Sequence, residues 1–462
     1  MSKSPLVAGV FRLIVLAGFG LVLALNLPGH LTWDSVAQLH EGRVGVRETW
    51  GPAFYAWLLG AGDRIATGTS VYVVVTSLVL FASLASLPSL RTRVSWWGPL
   101  AAAAVIATPH VLIGQAIVWK DIAFSNAAVA SMIWLAHADF RWDDRRRRWL
   151  CLALSLALMA IAAQLRQNGA IVALAAALAT GWIASRGRLR RGVVWAVGAV
   201  AAFLVADQAI GALSLASLRP NPAVPAGSGV GLGVRLIQSY DLAGAVTRDP
   251  NYRLTIIAQR RPQAAQVVQM RAARSYSTQR IDFLDNDAAF SAAMITIPTE
   301  AIRDQWLNLV TTRPDLYLWV RLGVFRWLVA PPLIDRCNPI AIGVDPNPTL
   351  ATVGMVPRRS AQDQRLYNYT THFLDTPVYS HVTYGLVALT LAGVLLWRRQ
   401  SADVPMAFLQ LGALAFTGCF FLISIACDWR YLYFLDLAAM VGVVYLAVDP
   451  RIQPGRSAPH DG

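Results

Sequence analysis

Long apolar blocks, most of roughly 18 to 22 residues with few charges, constrain the fold of this chain more than any other feature. Such a block spans the hydrocarbon core of a bilayer as a helix, because a helix bonds its own backbone polar groups. Ten blocks meet this description, at 6–27, 69–88, 96–114, 121–138, 149–165, 169–185, 192–213, 380–397, 404–426 and 432–449. We therefore expect an all-α polytopic membrane protein with about ten transmembrane helices.

The charge distribution supports a membrane protein. Only 14% of the 462 residues are charged, against about 25% in soluble domains. The net charge is +14, but the arginines cluster in short junctions after every second block. This positive-inside pattern orients a membrane protein and does not predict nucleic-acid binding. It predicts cytoplasmic termini, and the Ala- and Arg-rich composition favours the cytoplasmic (inner) membrane of a bacterium.

Two smaller features bear on the same topology. The run from Arg145 to Arg148 is a topology signal that could also meet anionic lipid. Cys337 and Cys427 both fall in segments expected on the outer side, so a disulfide between them is compatible with the sequence, although their spacing does not establish one.

The chain divides into three expected modules. Residues 1–213 form an N-terminal transmembrane module whose first outer loop is 28–68. Residues 214–379 form an extracytoplasmic region that is helical or irregular. Residues 380–462 form a C-terminal transmembrane module with a short cytoplasmic tail.

The extracytoplasmic region has its own internal pattern. Its Pro- and Gly-rich beginning, 217–233, predicts a loop. Amphipathic helices are predicted at 234–245, 251–273 and 300–312. The apolar but charged run from Pro314 to Pro331 predicts a helix in the membrane interface, with its arginines reaching the headgroups.

The first outer loop contains an acid where acids are costly. Asp34 follows the first apolar block almost at once, after Trp33, and Glu48 comes later in the same loop. An ionisable residue at membrane depth is rarely kept without a use. An amphipathic helix is predicted to start at Pro52, which would lie on the membrane beside the acid. The alternative is an interfacial loop with aromatic anchors.

Three further outer junctions carry cations. Lys120 and Asp121 start the fourth block, and Arg166 lies between the fifth and sixth. Arg430 and Tyr431 precede the last block. The Arg side chain is a planar fork that suits a phosphate. The alternatives are a helix cap at Asp121 and a structural ion pair between Arg430 and a neighbouring Asp.

The order of these short motifs resembles the GT-C superfamily of integral-membrane glycosyltransferases. The resemblance rests on five elements of the sequence, none of them specific by itself. They are Trp33-Asp34, Trp50-Gly51-Pro52, Trp119-Lys120-Asp121, Tyr240-Asp241-Leu242-Ala243 and Asp428-Trp429-Arg430-Tyr431. A further segment, which contains Trp306, Arg313-Pro314, Tyr317 and Arg321, also resembles segments of bacterial members of the superfamily. The chain departs from the superfamily at Trp50-Gly51-Pro52, where many members carry His-Pro-Pro.

The resemblance implies an inverting enzyme that moves a sugar from a polyprenyl-phosphate carrier to an acceptor hydroxyl on the outer face. It makes Asp34 the general base and Lys120 and Arg430 ligands of the lipid phosphate. Topology adds Arg166 to the phosphate ligands, and Asp121, Tyr431, Trp33 and Glu48 to the substrate-binding residues. The acceptor would be a glycan, a lipid or a protein.

Two matters stay open at the level of sequence. No cofactor is demanded, although carboxylates with waters could hold a divalent ion such as Mg²⁺ or Mn²⁺. A transporter or flippase for a lipid-linked or polar substrate would also need intramembrane charges. Transporters, however, often show paired halves and interrupted helices near the midplane, whereas the charges here gather at outer helix ends.

Overall fold

The computed structural model describes residues 5–47, 51–219, 221 and 228–452. Within these ranges the chain is helical, and its extended segments form isolated bridges instead of strands. The α-helices are α1 Pro5–Asn26, α2 Trp33–Val44, α3 Ala53–Ile65, α4 Ser70–Ser86, α5 Trp97–Ala107, α6 Pro109–Leu112, α7 Lys120–Phe140, α8 Arg145–Leu165, α9 Ala170–Ser185, α10 Leu189–Ala216, α11 Ser228–Arg248, α12 Thr255–Arg260, α13 Pro262–Ser275, α14 Asp282–Asp285, α15 Ala288–Thr296, α16 Thr299–Thr312, α17 Pro314–Val329, α18 Ala361–Thr371, α19 His381–Arg398, α20 Asp403–Ile423 and α21 Tyr433–Val448.

Short 3-10 helices occupy several of the junctions. They are Leu87–Leu90, Gly114–Ala116, Gln167–Gly169, Ile334–Cys337, Ala351–Val353, Pro377–Tyr379 and Trp429–Leu432.

The described helices include eight that are long and apolar enough to cross a membrane. A ninth span results if α5 and the segment Pro109–Ala116 count as one, bent by 66°. The bend falls at Pro109, which has no N–H to continue the helix and a ring that clashes with the preceding turn. The block at 121–138 is also a helix, α7, although it does not meet the hydropathy and charge limits of the other spans. The fold is therefore that of a polytopic helical membrane protein.

The chain folds into two compact units. The first comprises 1–221, 340–417 and 432–462, and it contains most of the candidate spans. The second comprises 222–339 and 418–431. The division into three consecutive modules stays a prediction.

The first outer loop contains two helices, α2 and α3. The sequence predicted the start of α3 at Pro52 but did not predict α2. α2 and α3 cross so closely that a Cβ on Gly42 would lie 2.0 Å from the carbonyl oxygen of Ala56. Only glycine fits at such a crossing, which explains Gly42 and the facing Gly60. Arg43 and Asp63 lock the same pair of helices, with Nε donating to Oδ2 over 2.8 Å. This hydrogen bond lowers the pKa of Asp63.

The second unit is built around its own apolar core from α11 to α17. Its central ion pair joins Arg321 to Asp241, and neither side chain is exposed. Trp306 donates to the other carboxylate oxygen of Asp241 over 2.8 Å. Arg321 also donates to the carbonyl oxygens of Leu422 and Ser424. The prediction that the arginines of this helix reach the headgroups is therefore wrong for Arg321, because its carboxylate partner lies inside the unit.

The structure also tests the predicted loop at 217–233 and the possible disulfide between Cys337 and Cys427. The predicted loop 217–233 is too long, because α11 already begins at Ser228. Glycines weaken a helix by about 1 kcal/mol each, but the buried face of α11, which includes Tyr240 and Leu242, offsets that cost by packing. Cys337 and Cys427 form a disulfide, with Cα atoms 5.0 Å apart.

Candidate functional site

The segment that carries Asp34 is attached to the segment before α7 by backbone hydrogen bonds. The N–H of His30 donates to the carbonyl oxygen of Ala116 over 3.0 Å, and the N–H of Val118 donates to the oxygen of His30 over 2.9 Å. The two segments therefore run parallel and lead directly into α2 and α7. Their attachment fixes two helix N-termini side by side.

Side chains complete the attachment. The indole N–H of Trp119 donates to Oγ1 of Thr32 over 3.0 Å, which joins the residues that immediately precede the two helices. Ser35 donates to the carbonyl oxygen of Val118. Tyr55 of α3 donates to the same oxygen over 2.8 Å, and Tyr72 of α4 donates to that of Trp119 over 2.8 Å. Four helices thus contribute to the position of one small region.

His30 holds the same segment in place three residues before the start of α2. Its side chain is 1% exposed. Nε2 faces Oδ1 of Asn26 at 2.9 Å, and Nδ1 accepts from the N–H of Gly343 over 3.0 Å. Burial, aided by the nearby charge of Arg358, lowers the pKa of His30 to about 4. The imidazole is therefore neutral at physiological pH and acts as a structural hydrogen-bonding group.

The acids and cations of this region occupy distinct positions. Asp34 lies exposed in the first turn of α2, and Trp33 beside it is also exposed. Lys120 starts α7 and is half-buried. Asp121, one residue later, is buried and forms an ion pair with Arg166 at the end of α8. Five of the predicted residues therefore belong to one region of the first unit.

The positive groups of this region are two helix ends and two side chains, and they are opposed by the carboxylates of Asp34 and Asp121. The N-terminal ends of α2 and α7 carry the positive ends of helix dipoles, and Lys120 and Arg166 add full charges. Asp121 offsets part of this charge through one of its oxygens. A phosphate at a pair of helix N-termini with a Lys and an Arg would have both dipole and charge partners.

An apolar cavity lies immediately beside these charges. It has a volume of about 330 Å³ and is lined by residues of α3, α4, α7, α8 and α10. Its wall includes Ala123, two residues from Asp121, and Leu165, next to Arg166. The region therefore combines a polar end with an apolar compartment, which is the chemistry that an amphiphilic ligand requires.

The remaining predicted residues are placed elsewhere or are not described. Arg430 and Tyr431 belong to the second unit, where Arg430 pairs with Asp428 at 3.3 Å. This is the structural alternative that the sequence left open. Tyr431 stacks on Phe420, with ring centroids 5.6 Å apart. Glu48 lies outside the described residues. Every assigned role of these residues stays a prediction.

The sequence did not single out two buried polar residues of α2. Glu41 is 0% exposed and Gln38 is 6% exposed. Gln38 donates to Glu41 over 3.3 Å. Their spacing from Asp34, four and seven residues, puts all three on one helical face. That spacing is the signal that could have identified them.

Comparisons with known proteins add little to this geometry. No family model and no curated protein matches the sequence. Among solved structures, the chain is similar to the archaeal oligosaccharyltransferase AglB from Archaeoglobus fulgidus in complex with an inhibitory peptide and a dolichol-phosphate. The identity is 14% and the TM-score 0.39, over 95% of this chain and 50% of that chain. The chain thus spans about half the length of that structure, and a likeness of this size defines neither a fold nor an activity for it.

Proposed function

We propose that this protein is an inverting GT-C-type glycosyltransferase that moves a hexosyl or pentosyl group from a polyprenyl-phosphate carrier to an acceptor hydroxyl. The observation that carries the proposal is the junction of α2 and α7. There an exposed carboxylate, Asp34, lies in the first turn of one helix, and Lys120 starts the other, beside the Asp121–Arg166 pair and an apolar cavity.

Each part of this junction has a chemical task in the proposed reaction. Asp34 accepts the proton of the acceptor hydroxyl as its oxygen attacks the anomeric carbon. The bond between that carbon and the phosphate oxygen breaks, and the phosphate leaves with the electron pair. Lys120 and Arg166 oppose the charge that develops on the phosphate. A single displacement of this kind inverts the anomeric centre.

The apolar cavity supports a lipid-linked donor. Its walls contain only a few polar side chains, such as Thr76 and Asn126. A water-soluble nucleotide sugar would gain nothing from such a compartment, whereas the first isoprene units of a carrier would be removed from water there. The polar end beside Arg166 would then face the carrier phosphate.

The disulfide of the second unit supports the outer face as the side of the reaction. Disulfides persist in oxidising compartments outside the cytoplasm. The pair Cys337–Cys427 in the second unit therefore supports an extracytoplasmic position for that unit. A bacterial cytoplasmic membrane with the reaction on its outer face fits this position. Arg430, in the same unit, remains a proposed ligand of the donor phosphate.

A divalent metal is not part of the proposed steps. Within the described ranges, no group of three or more His, Cys, Asp or Glu side chains is placed to hold a metal ion. The charges on Lys120 and Arg166 supply the cationic partners of the leaving group instead. Dependence on Mg²⁺ or Mn²⁺ is measured directly by adding a chelator to the assay below.

The test uses the purified full chain with a panel of radiolabelled polyprenyl-phosphate sugars, and it follows release of the carrier. Asp34→Asn should lower turnover by about 10²- to 10⁴-fold, because an amide cannot accept the proton. Asp143→Asn is the matched control, since Asp143 is exposed in the turn after α7, at the far end of that helix from Lys120.

Two results would overturn the proposal. Wild-type protein that releases no carrier from any member of the panel would contradict the proposed reaction. Full turnover by Asp34→Asn, at the same membrane insertion and thermal stability as Asp143→Asn, would remove Asp34 from the role of base.

A further inference from the structure

A second cavity in the first unit lies between α7, α8, α9 and α10. Its volume is about 480 Å³. Its lining is apolar apart from Ser155 and Thr180. The proposed transferase site does not include it, because Lys120 and Arg166 stand at the opposite ends of α7 and α8 from the cavity residues Leu135 and Trp149.

The cavity has space beside α10 for an additional side chain. A Cβ built on Gly198, one of the lining residues, meets no atom within 4 Å. The lining of α8 runs from Trp149 to Met159, which at 1.5 Å per residue is about 15 Å. This is about half of the roughly 30 Å hydrocarbon core of a bilayer. The cavity is therefore as deep as one leaflet.

A dense group of arginines surrounds one end of this cavity. The segments 141–148 and 186–191 contain nine Arg and only two Asp. We call the exposed arginines of these segments the arginine rim. They are Arg145, Arg146, Arg147, Arg186, Arg188, Arg190 and Arg191. One of them, Arg147, pairs with Asp144, and the two segments together have a net charge of +7, from nine Arg and two Asp.

Aromatic side chains connect the rim to the cavity. Trp195 packs on Trp142 and Trp149, with centroid distances of 5.4 and 5.5 Å. The guanidinium groups of Arg148 and Arg186 lie over the ring of Trp142, at 5.1 and 5.8 Å. Trp149 and Trp195 also line the cavity. Tryptophan with arginine at the mouth of an apolar cavity matches the interface between acyl chains and headgroups.

The helix dipoles argue for an anion at the rim. α8 begins with Arg145 and α10 begins two residues before Arg191. Basic residues in the first turn of a helix oppose its dipole and cost about 0.3–1 kcal/mol each. The positive-inside rule accounts for arginines in these loops, but it does not account for an apolar cavity that opens among them. A bound phosphate would satisfy the arginines and both helix ends at once.

We propose that this cavity binds an acyl chain of a membrane phospholipid with an anionic headgroup, and that the arginine rim binds the headgroup phosphate. The site is separate from the proposed transferase site and does not depend on its activity. Basic pockets between membrane helices on the cytoplasmic side are a known setting for anionic lipids. Here the match of depth, aromatic mouth and charge assigns the occupant.

The test titrates the delipidated full chain in detergent with phosphatidylglycerol or phosphatidylcholine of identical acyl chains, and it counts bound lipid by native mass spectrometry. Wild-type protein should bind phosphatidylglycerol about tenfold more tightly than phosphatidylcholine, because only phosphatidylglycerol has a net negative charge for the arginine rim to attract. Gly198→Leu fills the cavity and should abolish this binding. Gly393→Leu is its control, since a Cβ there also meets open space but in α19, outside the cavity.

A second pair of variants tests the rim. Arg145, Arg146, Arg190 and Arg191 changed together to Gln should weaken binding of phosphatidylglycerol more than binding of phosphatidylcholine, and so reduce the preference between them. The control changes four exposed arginines of the second unit to Gln, namely Arg253, Arg260, Arg274 and Arg326. Inorganic phosphate alone should compete only weakly with the lipid.

Three outcomes would overturn the proposal. The first is equal binding of the two lipids by wild-type protein. The second is retention of phosphatidylglycerol by Gly198→Leu at the level of Gly393→Leu. The third is displacement of bound phosphatidylglycerol by inorganic phosphate at concentrations comparable to those of the lipid, which would indicate a site for a free anion.

Discussion

Two buried carboxylates of the first unit, Asp403 and Asp121, differ in how completely the protein satisfies them. Asp403 accepts from the guanidinium groups of Arg91 and Arg398, from the hydroxyl of Tyr445 and from the backbone N–H of Gln400. In Asp121, one oxygen pairs with Arg166, while Oδ2 has no hydrogen-bond partner among the described residues.

This difference separates a structural role from a candidate functional one. A buried carboxylate oxygen without a partner costs free energy, and proteins keep such groups mainly where something else will bind. Both carboxylate oxygens of Asp403 have partners, and the network around them ties α19, α20, α21 and the segment after α4 together. Burial alone therefore does not identify a site, and the unused oxygen of Asp121 is what distinguishes it from Asp403.

The largest expected effect is that of Asp403→Asn. The variant leaves Arg91 and Arg398 buried without their counter-ion, which should cost about 3–5 kcal/mol of unfolding free energy. Thermal unfolding of the detergent-purified protein measures the loss. If the thermal unfolding midpoint of Asp403→Asn is no lower than that of Asp121→Asn, the distinction drawn between these two carboxylates is wrong.

His30 extends the comparison to a buried group that is kept neutral. Its pKa is about 4 in the folded protein and about 6.5 when unfolded. As the pH falls, the unfolded chain therefore binds this proton at a higher pH than the folded protein does. The free energy of unfolding should decrease by up to about 3 kcal/mol as the pH falls from 6.5 to 4. The carboxyl of Asp363 nearby has a lowered pKa, so its own contribution to stability is lost mainly below this window and adds to the decline only near pH 4.

The measurement for His30 is the thermal unfolding midpoint between pH 7 and pH 4. His30→Asn cannot take up the proton and should show a smaller decline over this range, after correction for its lower stability at pH 7. Parallel pH profiles for the variant and the wild type would mean that other groups cause the decline.

The smallest expected effect on stability is that of Asp121→Asn. The amide keeps an acceptor for Arg166, removes a poorly satisfied buried charge, and leaves Arg166 partly open to water. Loss of one partner of a buried ion pair is strongly destabilising when the remaining charge cannot reach water. Arg166 is 11% exposed, whereas Arg398 is 0% exposed, so we expect a loss of about 1–3 kcal/mol, smaller than that of Asp403→Asn. Donor affinity should weaken in the same variant, measured as a raised KM for the lipid-linked sugar. A loss as large as that of Asp403→Asn would place Asp121 with Asp403.

The sequence predicted the membrane helices well because the bilayer imposes a simple rule on length and polarity. The block at 69–88 corresponds to α4 with the turn after it, and the block at 192–213 lies within α10. The bend in the third block has a local cause in Pro109, and that residue was visible in the sequence. Local chemistry and hydropathy suffice for features of this kind.

Pairings between distant residues could not be predicted in the same way. Asp121 and Arg166 are 45 residues apart, and Asp241 and Arg321 are 80 apart. Each pair depends on how whole helices pack, which no spacing in the sequence records. Arg321 illustrates the error that results, since an arginine on an apolar helix meets either headgroups or a buried carboxylate, and only packing decides between them.

The disulfide between Cys337 and Cys427 also constrains the order of events during biosynthesis. Ninety residues separate the two cysteines in the sequence. At about 5–20 residues per second, the ribosome needs about 5 to 20 s to synthesise the segment between them. In the expected topology, α19 crosses inward and α20 crosses back outward during this time, which brings the second thiol to the side of the first. The second unit is therefore cross-linked only after this helix pair has been inserted, so a failure of insertion would leave Cys337 available to the wrong partner.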